Sequence, residues 1–152
     1  MSSAKTIILK GMGIRNERVA NAAITPGHLV ETMSTGYVRV HATAGGHGQK
    51  AFAVEDDLQG NTISTAYATS GRVQYEVMQR GAVVNALIAD GSTVVIGSPL
   101  ESAGDGTLQV YVADDSASIP TNNIVGYAIE ALDLSDSSGA DPASARCAVE
   151  VA

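Results

Sequence analysis

The sequence predicts an all-β protein, a small antiparallel β-barrel or β-sandwich with long loops and an extended N-terminal arm. Three observations support this fold class. Apolar and polar residues alternate in short runs, 16 glycines break the chain at close intervals, and lysine and arginine together number only nine among 152 residues. Alternation with a period of two is typical of half-buried strands, and glycine-containing breaks supply the turns between them.

The stretch from Arg72 to Val112 shows the clearest pattern. Apolar side chains alternate near its two ends, at Val73, Tyr75 and Val77 and again at Leu108, Val110 and Val112. A further apolar run, Val94–Ile96, lies between them, and each run ends at a break that contains glycine. We therefore expect this stretch to form the middle of the barrel or sandwich.

Shorter strands are predicted on both sides of this centre. They are His28–Glu31, Tyr37–His41, Ala51–Val54, Ile124–Glu130 and Arg146–Val151. Aromatic residues make up 4% of the chain, so the core should be aliphatic, with Phe52, the one phenylalanine, inside it. Leu58–Ser70 is polar and rich in serine and threonine, which predicts a long loop, with a short strand near Thr62–Ala68 and a role as a contact surface.

Residues 1–23 differ in character from the rest of the chain, so we predict two regions, an N-terminal arm (1–23) and a β domain (24–152). Ile7, Ile8 and Leu9 form an apolar run between Lys5 and Lys10. This run is either the first strand of the barrel or an arm that docks on another chain. As an arm, it could be removed with Met1–Gly13 and leave the β domain folded.

Composition excludes several classes of function. The formal charge of −7 argues against a nucleic-acid partner, because phosphate binding needs clustered lysine and arginine. No apolar run is long enough to cross a bilayer, and the N-terminus lacks the shape of a signal peptide. The one cysteine, Cys147, allows no intrachain disulfide and is expected to be a small buried residue rather than a nucleophile.

The chemistry-bearing residues match no known catalytic or metal-binding spacing. His28, His41 and His47 are not spaced as zinc ligands, and the Gly45–Lys50 segment is not a phosphate-binding loop. The acidic pair Asp114–Asp115 is interpreted as part of a solvated turn rather than a calcium loop. There is no G-x-S-x-G elbow. We therefore predict a protein that is not an enzyme and uses no metal or cofactor.

The order of elements resembles the capsid cement, or head decoration, proteins of tailed phages. Four segments carry the resemblance: ITPGHLVE (24–31), GRVQYEVMQRGAVV (71–84), ALIADGSTVVIG (86–97) and the C-terminal segment from NNIVGYAIE to CAVEVA (122–152). The order of the four matters more than any one match. The polar segment 48–70 and the N-terminal extension are longer than the family pattern.

This resemblance implies a structural virion protein on the outer surface of the capsid, assembled in the host cytoplasm. It implies binding to the major capsid protein, clamping of neighbouring subunits against internal pressure, and self-association as trimers, in some cases dimers. In the arm, we expect the capsid-binding residues to be Lys5, Ile7, Ile8, Leu9 and Lys10. A contact loop would use Gln59, Asn61 and Tyr67.

A second hypothesis is a β-barrel module that binds a glycan or another surface ligand. It would use the loops Gly45–Gly48 and Leu58–Ser70. Glycan sites usually present exposed aromatic rings, and Tyr67 is the one aromatic residue in these loops, which counts against this hypothesis.

Overall fold

The computed structural model describes residues 4–113, 122–135, 141, 142 and 144–152. Within these residues the chain forms thirteen strands, one short 3-10 helix and no α-helix. The all-β prediction is confirmed. Asp114–Asp115 lies outside the described residues.

The strands follow one another closely along the chain. In order they are β1 (Ile8–Lys10), β2 (Gly13–Val19), β3 (Val30–Thr32), β4 (Val38–Val40), β5 (Ala51–Ala53), β6 (Arg72–Met78), β7 (Val83–Ala89), β8 (Thr93–Val94), β9 (Pro99–Ser102), β10 (Leu108–Val110), β11 (Ile124–Ala128), β12 (Leu132–Asp133) and β13 (Ser144–Val151). The 3-10 helix, Asp57–Gln59, lies between β5 and β6.

Five strands close into a barrel in the order β7, β10, β9, β11, β13, and β13 pairs back with β7. The β7–β13 pairing is antiparallel and extends from Val83 to Ala89, whereas β10 runs parallel to β7. The barrel interior is aliphatic, as the composition predicts, with Val84, Ile88 and Leu108 fully buried. The register of β10 with β7 is limited to Leu108 and Ile88, so the rest of that edge of β7 is open to another strand.

The N-terminal segment is part of the barrel sheet, which corrects the two-region prediction. Strand β1 pairs with β7, with Ile8 opposite Val84, and the Ile7 side chain is 0% exposed. The Ile7 carbonyl accepts a hydrogen bond from the Asn85 N–H at 2.7 Å. Burying the apolar run on the open edge of β7 removes its side chains from water, so it forms a strand of this domain. The boundary at residue 23 does not separate two structural units.

A second sheet has the order β2, β6, β5, and β3 and β4 pair as a separate hairpin. Phe52 on β5 is 0% exposed and packs with the barrel core, as predicted. Its neighbours Ala51 and Ala53 face the other way and join Val30, Val38 and other residues in a small second core. The molecule therefore has two hydrophobic cores, one on each face of this sheet.

The apolar run Val94–Ile96 only partly forms a strand. Strand β8 ends at Val94, and the Ser98 N–H donates to the Val95 carbonyl at 3.0 Å. With Gly97 at φ +88°, this is a turn that needs glycine at its third position. Val95 and Ile96 are consequently exposed, by 60% and 72%.

Candidate functional site

The structure brings the N-terminal segment and the predicted contact loop together at one groove, which we call the contact groove. It has a volume of about 540 Å³. Its lining includes Lys5, Thr6, Glu55, Asn61, Thr62 and Ile63. Lys5 and Asn61 are predicted contact residues on separate grounds, and they line the same surface feature.

Arg146 of β13 holds one wall of the contact groove against the barrel. Its Nε and Nη2 atoms donate to the Pro26 carbonyl at 3.3 and 2.8 Å, and Nη2 also donates to the Ile63 carbonyl. Burial lowers the pKa of Arg146, whereas the nearby charge of Glu55 raises it. Glu55 also accepts from the Ile7 N–H at 3.1 Å, so it fixes the other wall of the contact groove.

Leu58 lies on the 3-10 helix beside the contact groove and is 88% exposed. Asp57 from the same helix lines the contact groove, and Gln59 is exposed. Gly60 ends the helix in the left-handed conformation, with its N–H donating to the Asp57 carbonyl at 3.0 Å. Leu58 therefore presents an apolar side chain to solvent beside the contact groove.

The remaining predicted contact residues differ in accessibility. Lys5 and Lys10 are exposed, Ile8 and Leu9 are half-buried, and Ile7 is buried. Of these five residues, only the two lysines are exposed. Ile7 and its two neighbours serve first to attach the segment to the barrel.

Tyr67 anchors its loop. No strand forms at 62–68; instead Tyr67 makes an isolated antiparallel bridge with Ile24, and its hydroxyl donates to the Val54 carbonyl at 2.6 Å. Burial raises the pKa of Tyr67 to about 12. The side chain is therefore engaged within the domain, which weakens both the contact role and the glycan-stacking role assigned to it.

A second depression, the polar cleft, lies between the β2–β6–β5 sheet and the β3–β4 hairpin. It has a volume of about 500 Å³ and its lining includes Asn16, Arg18, Glu31, Thr32, Gln49 and Tyr75. Arg18 Nε donates to the Tyr75 hydroxyl at 3.1 Å. Because Tyr75 is only 4% exposed, it offers no ring face of the kind on which sugars stack.

The sequence analysis missed one buried arrangement of reactive side chains. His41 Nδ1 lies 2.7 Å from Ser102 Oγ, across 61 positions of the chain, and His41 Nε2 lies 3.7 Å from Glu31 Oε2. A serine that contacts a histidine, which in turn contacts a carboxylate, resembles a nucleophilic triad. Here Ser102 is 0% exposed and its Oγ accepts from the Gly104 N–H at 3.2 Å. The arrangement therefore joins the hairpin to the barrel and gives a substrate no access to the serine.

His28 lies near this junction, and its titration should make folding stability depend on pH. Its Nδ1 accepts from the Thr25 N–H at 3.1 Å. Burial lowers the pKa of His28 from its ordinary value of 6.5, Asp105 opposes that shift, and Arg146 adds to it. The unfolded chain then binds more protons, so His28 should reduce stability as pH falls below 6.5 toward the lower folded pKa.

The check is urea unfolding at about pH 7.5 and 5.5, on either side of the ordinary histidine pKa. His28→Asn keeps an acceptor near the Nδ1 position but does not titrate. We expect the wild type to lose more stability than the variant between the two conditions. Equal losses of stability in the wild type and the variant would show that the titration of His28 does not cause the pH dependence.

Other features of the described residues bear on function. The histidine, cysteine, aspartate and glutamate side chains in this part of the chain form no group of three that could hold a metal ion. No helix among the described residues is long and apolar enough to cross a membrane. Cys147 is buried, as predicted, and burial raises its pKa to about 11.

These features describe a barrel-based protein with a groove and a polar cleft at its surface. No protein-family model matches the sequence, and a search of curated proteins found no significant match. The fold is similar to the crystal structure of the head fiber gp8.5 N base in bacteriophage phi29, with a TM-score of 0.55 and 13% identity. The similarity covers 93% of this chain and 95% of that chain. At this identity the likeness shows a shared fold.

Proposed function

We propose that this chain is a non-enzymatic structural protein of a phage virion that binds the outer surface of the assembled capsid. The observation that carries the proposal is the shared fold, over nearly the whole chain, with the base of a phage head fiber. The order of sequence segments that resembles head decoration proteins supports the same class independently. We further propose that the bound protein cements neighbouring subunits of the major capsid protein.

The contact groove and its rim are the proposed capsid-binding surface. Lys5 and Asn61 line the groove, and Leu58 is highly exposed beside it. Burying a leucine side chain contributes about 1.5–3 kcal/mol. Many copies on one shell make each modest contact effective, because a particle carries a large number of equivalent sites.

The direct test is to add the purified chain to assembled heads that lack it and to sediment the particles. We expect the protein to pellet with the heads and to appear on their outer face by electron microscopy. Failure to bind at micromolar concentrations would overturn the proposal. Heads that bind the protein but resist heat or osmotic shock no better than bare heads would refute cementing and leave surface attachment.

Leu58→Ser tests the proposed surface. Because Leu58 is 88% exposed, the variant should fold as the wild type does. The variant lacks the leucine side chain that head binding would bury, so binding should weaken by about tenfold or more. The measurement is the concentration of protein that half-saturates the heads. Ile96→Ser is the matched control, since it removes a similarly exposed apolar side chain at the β8–β9 turn. Equal loss of binding in the two variants would contradict the assignment of the surface.

A further inference from the structure

Strand β2 is a long, exposed edge strand. It covers seven residues and pairs only with β6 in its sheet. The five residues from Ile14 to Arg18 are all exposed. An edge strand presents a row of N–H and C=O groups that can pair with a strand from another chain.

The direction of these backbone groups follows from the bonds on the far side of β6. The Met78 N–H donates to the Lys50 carbonyl, and the Val54 N–H donates to the Gln74 carbonyl. Even-numbered residues of β6 therefore direct their backbone groups toward β5. Because the groups alternate along a strand, odd-numbered residues of β6 direct theirs toward β2.

The register between β2 and β6 then identifies the free groups on β2. Asn16 lies opposite Tyr75, so even-numbered residues of β2 bond to β6. Gly13, Arg15 and Glu17 direct their N–H and C=O groups outward, where no strand of the described chain pairs with them. The edge is closed further on, since the Asn21 N–H donates to the Val38 carbonyl of β4.

We infer that two copies of this chain associate through β2, as antiparallel strands related by a two-fold axis at Asn16. In this register Arg15 of each copy lies opposite Glu17 of the other. Both are residues with outward backbone groups, so the two pairs exchange about four N–H···O bonds. Directly opposite residues share a sheet face, which places each guanidinium against a carboxylate. The two sheets would join into one.

The charges select this register over its neighbours. Moving the axis by one residue toward Gly13 brings the two copies of Arg15 opposite each other. Moving it the other way brings the two copies of Glu17 opposite each other. Like charges in opposite positions destabilise strand pairing, so of these three registers only the central one places Arg15 opposite Glu17. It also places Ile14, which is 68% exposed, against the aliphatic stem of Arg18 in the second copy.

Intramolecular contacts hold both charged side chains over the sheet before pairing. Glu17 accepts from Arg72 at 2.9 Å, and Arg15 lies 3.5 Å from Glu76. A side chain that is already ordered loses less entropy when a partner arrives. This inference does not depend on capsid binding and concerns the free chain.

The test uses two variants of the full chain, Glu17→Lys and Arg15→Glu, studied by sedimentation equilibrium. The wild type should form a dimer of twice the 15.5 kDa chain mass. Each variant alone places like charges in both pairs, so its dimer dissociation constant should rise about tenfold or more. Mixed together, the two variants place opposite charges in both pairs and should form a heterodimer.

Net charge cannot explain this outcome. Glu17→Lys reduces the negative charge of a chain that carries −7, which by itself would favour association. Glu150→Lys is the matched control, because it makes the same charge change at an exposed residue of the barrel and should leave the dimer intact. A monomeric or trimeric wild type, or a dimer that persists unchanged in Glu17→Lys, would overturn the inference.

Hydrogen exchange gives a second readout if Arg15→Glu fails to fold next to Glu76. In the wild type, the outward N–H groups of Arg15 and Glu17 should exchange more slowly as protein concentration rises through the dimer range. The N–H of Asn16, which bonds to β6 in either state, is the internal reference. Concentration-independent exchange at Arg15 and Glu17 would overturn the pairing.

Discussion

Replacing Ile7 with alanine should lower the free energy of unfolding by about 2–5 kcal/mol. Ile7 is 0% exposed, and the cavity left by the lost methylene and methyl groups cannot close fully, because the carbonyl of this residue is bonded to the Asn85 N–H. Urea unfolding followed by circular dichroism measures the change. The result distinguishes a barrel strand from a free arm.

Ile96→Ala is the control for this prediction, because Ile96 lies outside both the core and the proposed β2 interface. It removes the same side chain from a residue that is 72% exposed, and surface substitutions of this kind usually change stability by less than about 0.5 kcal/mol. If the two variants lower the free energy of unfolding by the same amount, residue 7 does not lie in the core. The same reasoning changes the expectation for the deletion of Met1–Gly13, which should destabilise the domain as well as weaken any binding by this segment.

The second large effect is expected for Gly106→Ala, which should cost about 2–5 kcal/mol. Gly106 has φ +84°, and an added Cβ would lie 2.7 Å from Val40 Cβ. The Gly106 N–H donates to the His41 carbonyl, and its own carbonyl accepts from the Leu29 N–H. The residue therefore lies where the β3–β4 hairpin meets the barrel, and a side chain there separates the two.

Gly91→Ala separates the conformational penalty of a positive φ from the steric contact with Val40. Gly91 has φ +76° with nothing within 4 Å of the added Cβ, so it carries the conformational penalty alone, about 1–2 kcal/mol. Denaturant unfolding of both variants gives the difference. An equal cost at the two positions would mean that the contact with Val40 relaxes freely.

Sequence reasoning predicted most clearly the strands in which alternate side chains enter a core. Val73 and Tyr75 on β6 and Cys147 and Val149 on β13 alternate because alternate side chains enter a core. Strand β2 gave no such signal, since its residues from Ile14 to Arg18 are exposed on both faces. Backbone pairing to β6 makes it a strand, and hydrophobic periodicity does not record that pairing.

The candidate site was only partly predictable for a related reason. Lys5 and Asn61 were identified from their segments, but their meeting at one groove depends on Arg146, which binds Pro26 and Ile63 from distant parts of the chain. The contact between His41 and Ser102 is likewise non-local. Neither leaves a short motif, so composition and spacing could not show them.

The sealed position of Cys147 makes the protein convenient for site-directed labelling. The chain has one thiol, and it lies inside the barrel with a pKa of about 11, so it is protonated at neutral pH and out of reach of reagents in the folded state. A cysteine introduced at the surface would then be the single reactive handle. A photo-crosslinker attached beside the contact groove would test the proposed contact of that surface with the major capsid protein.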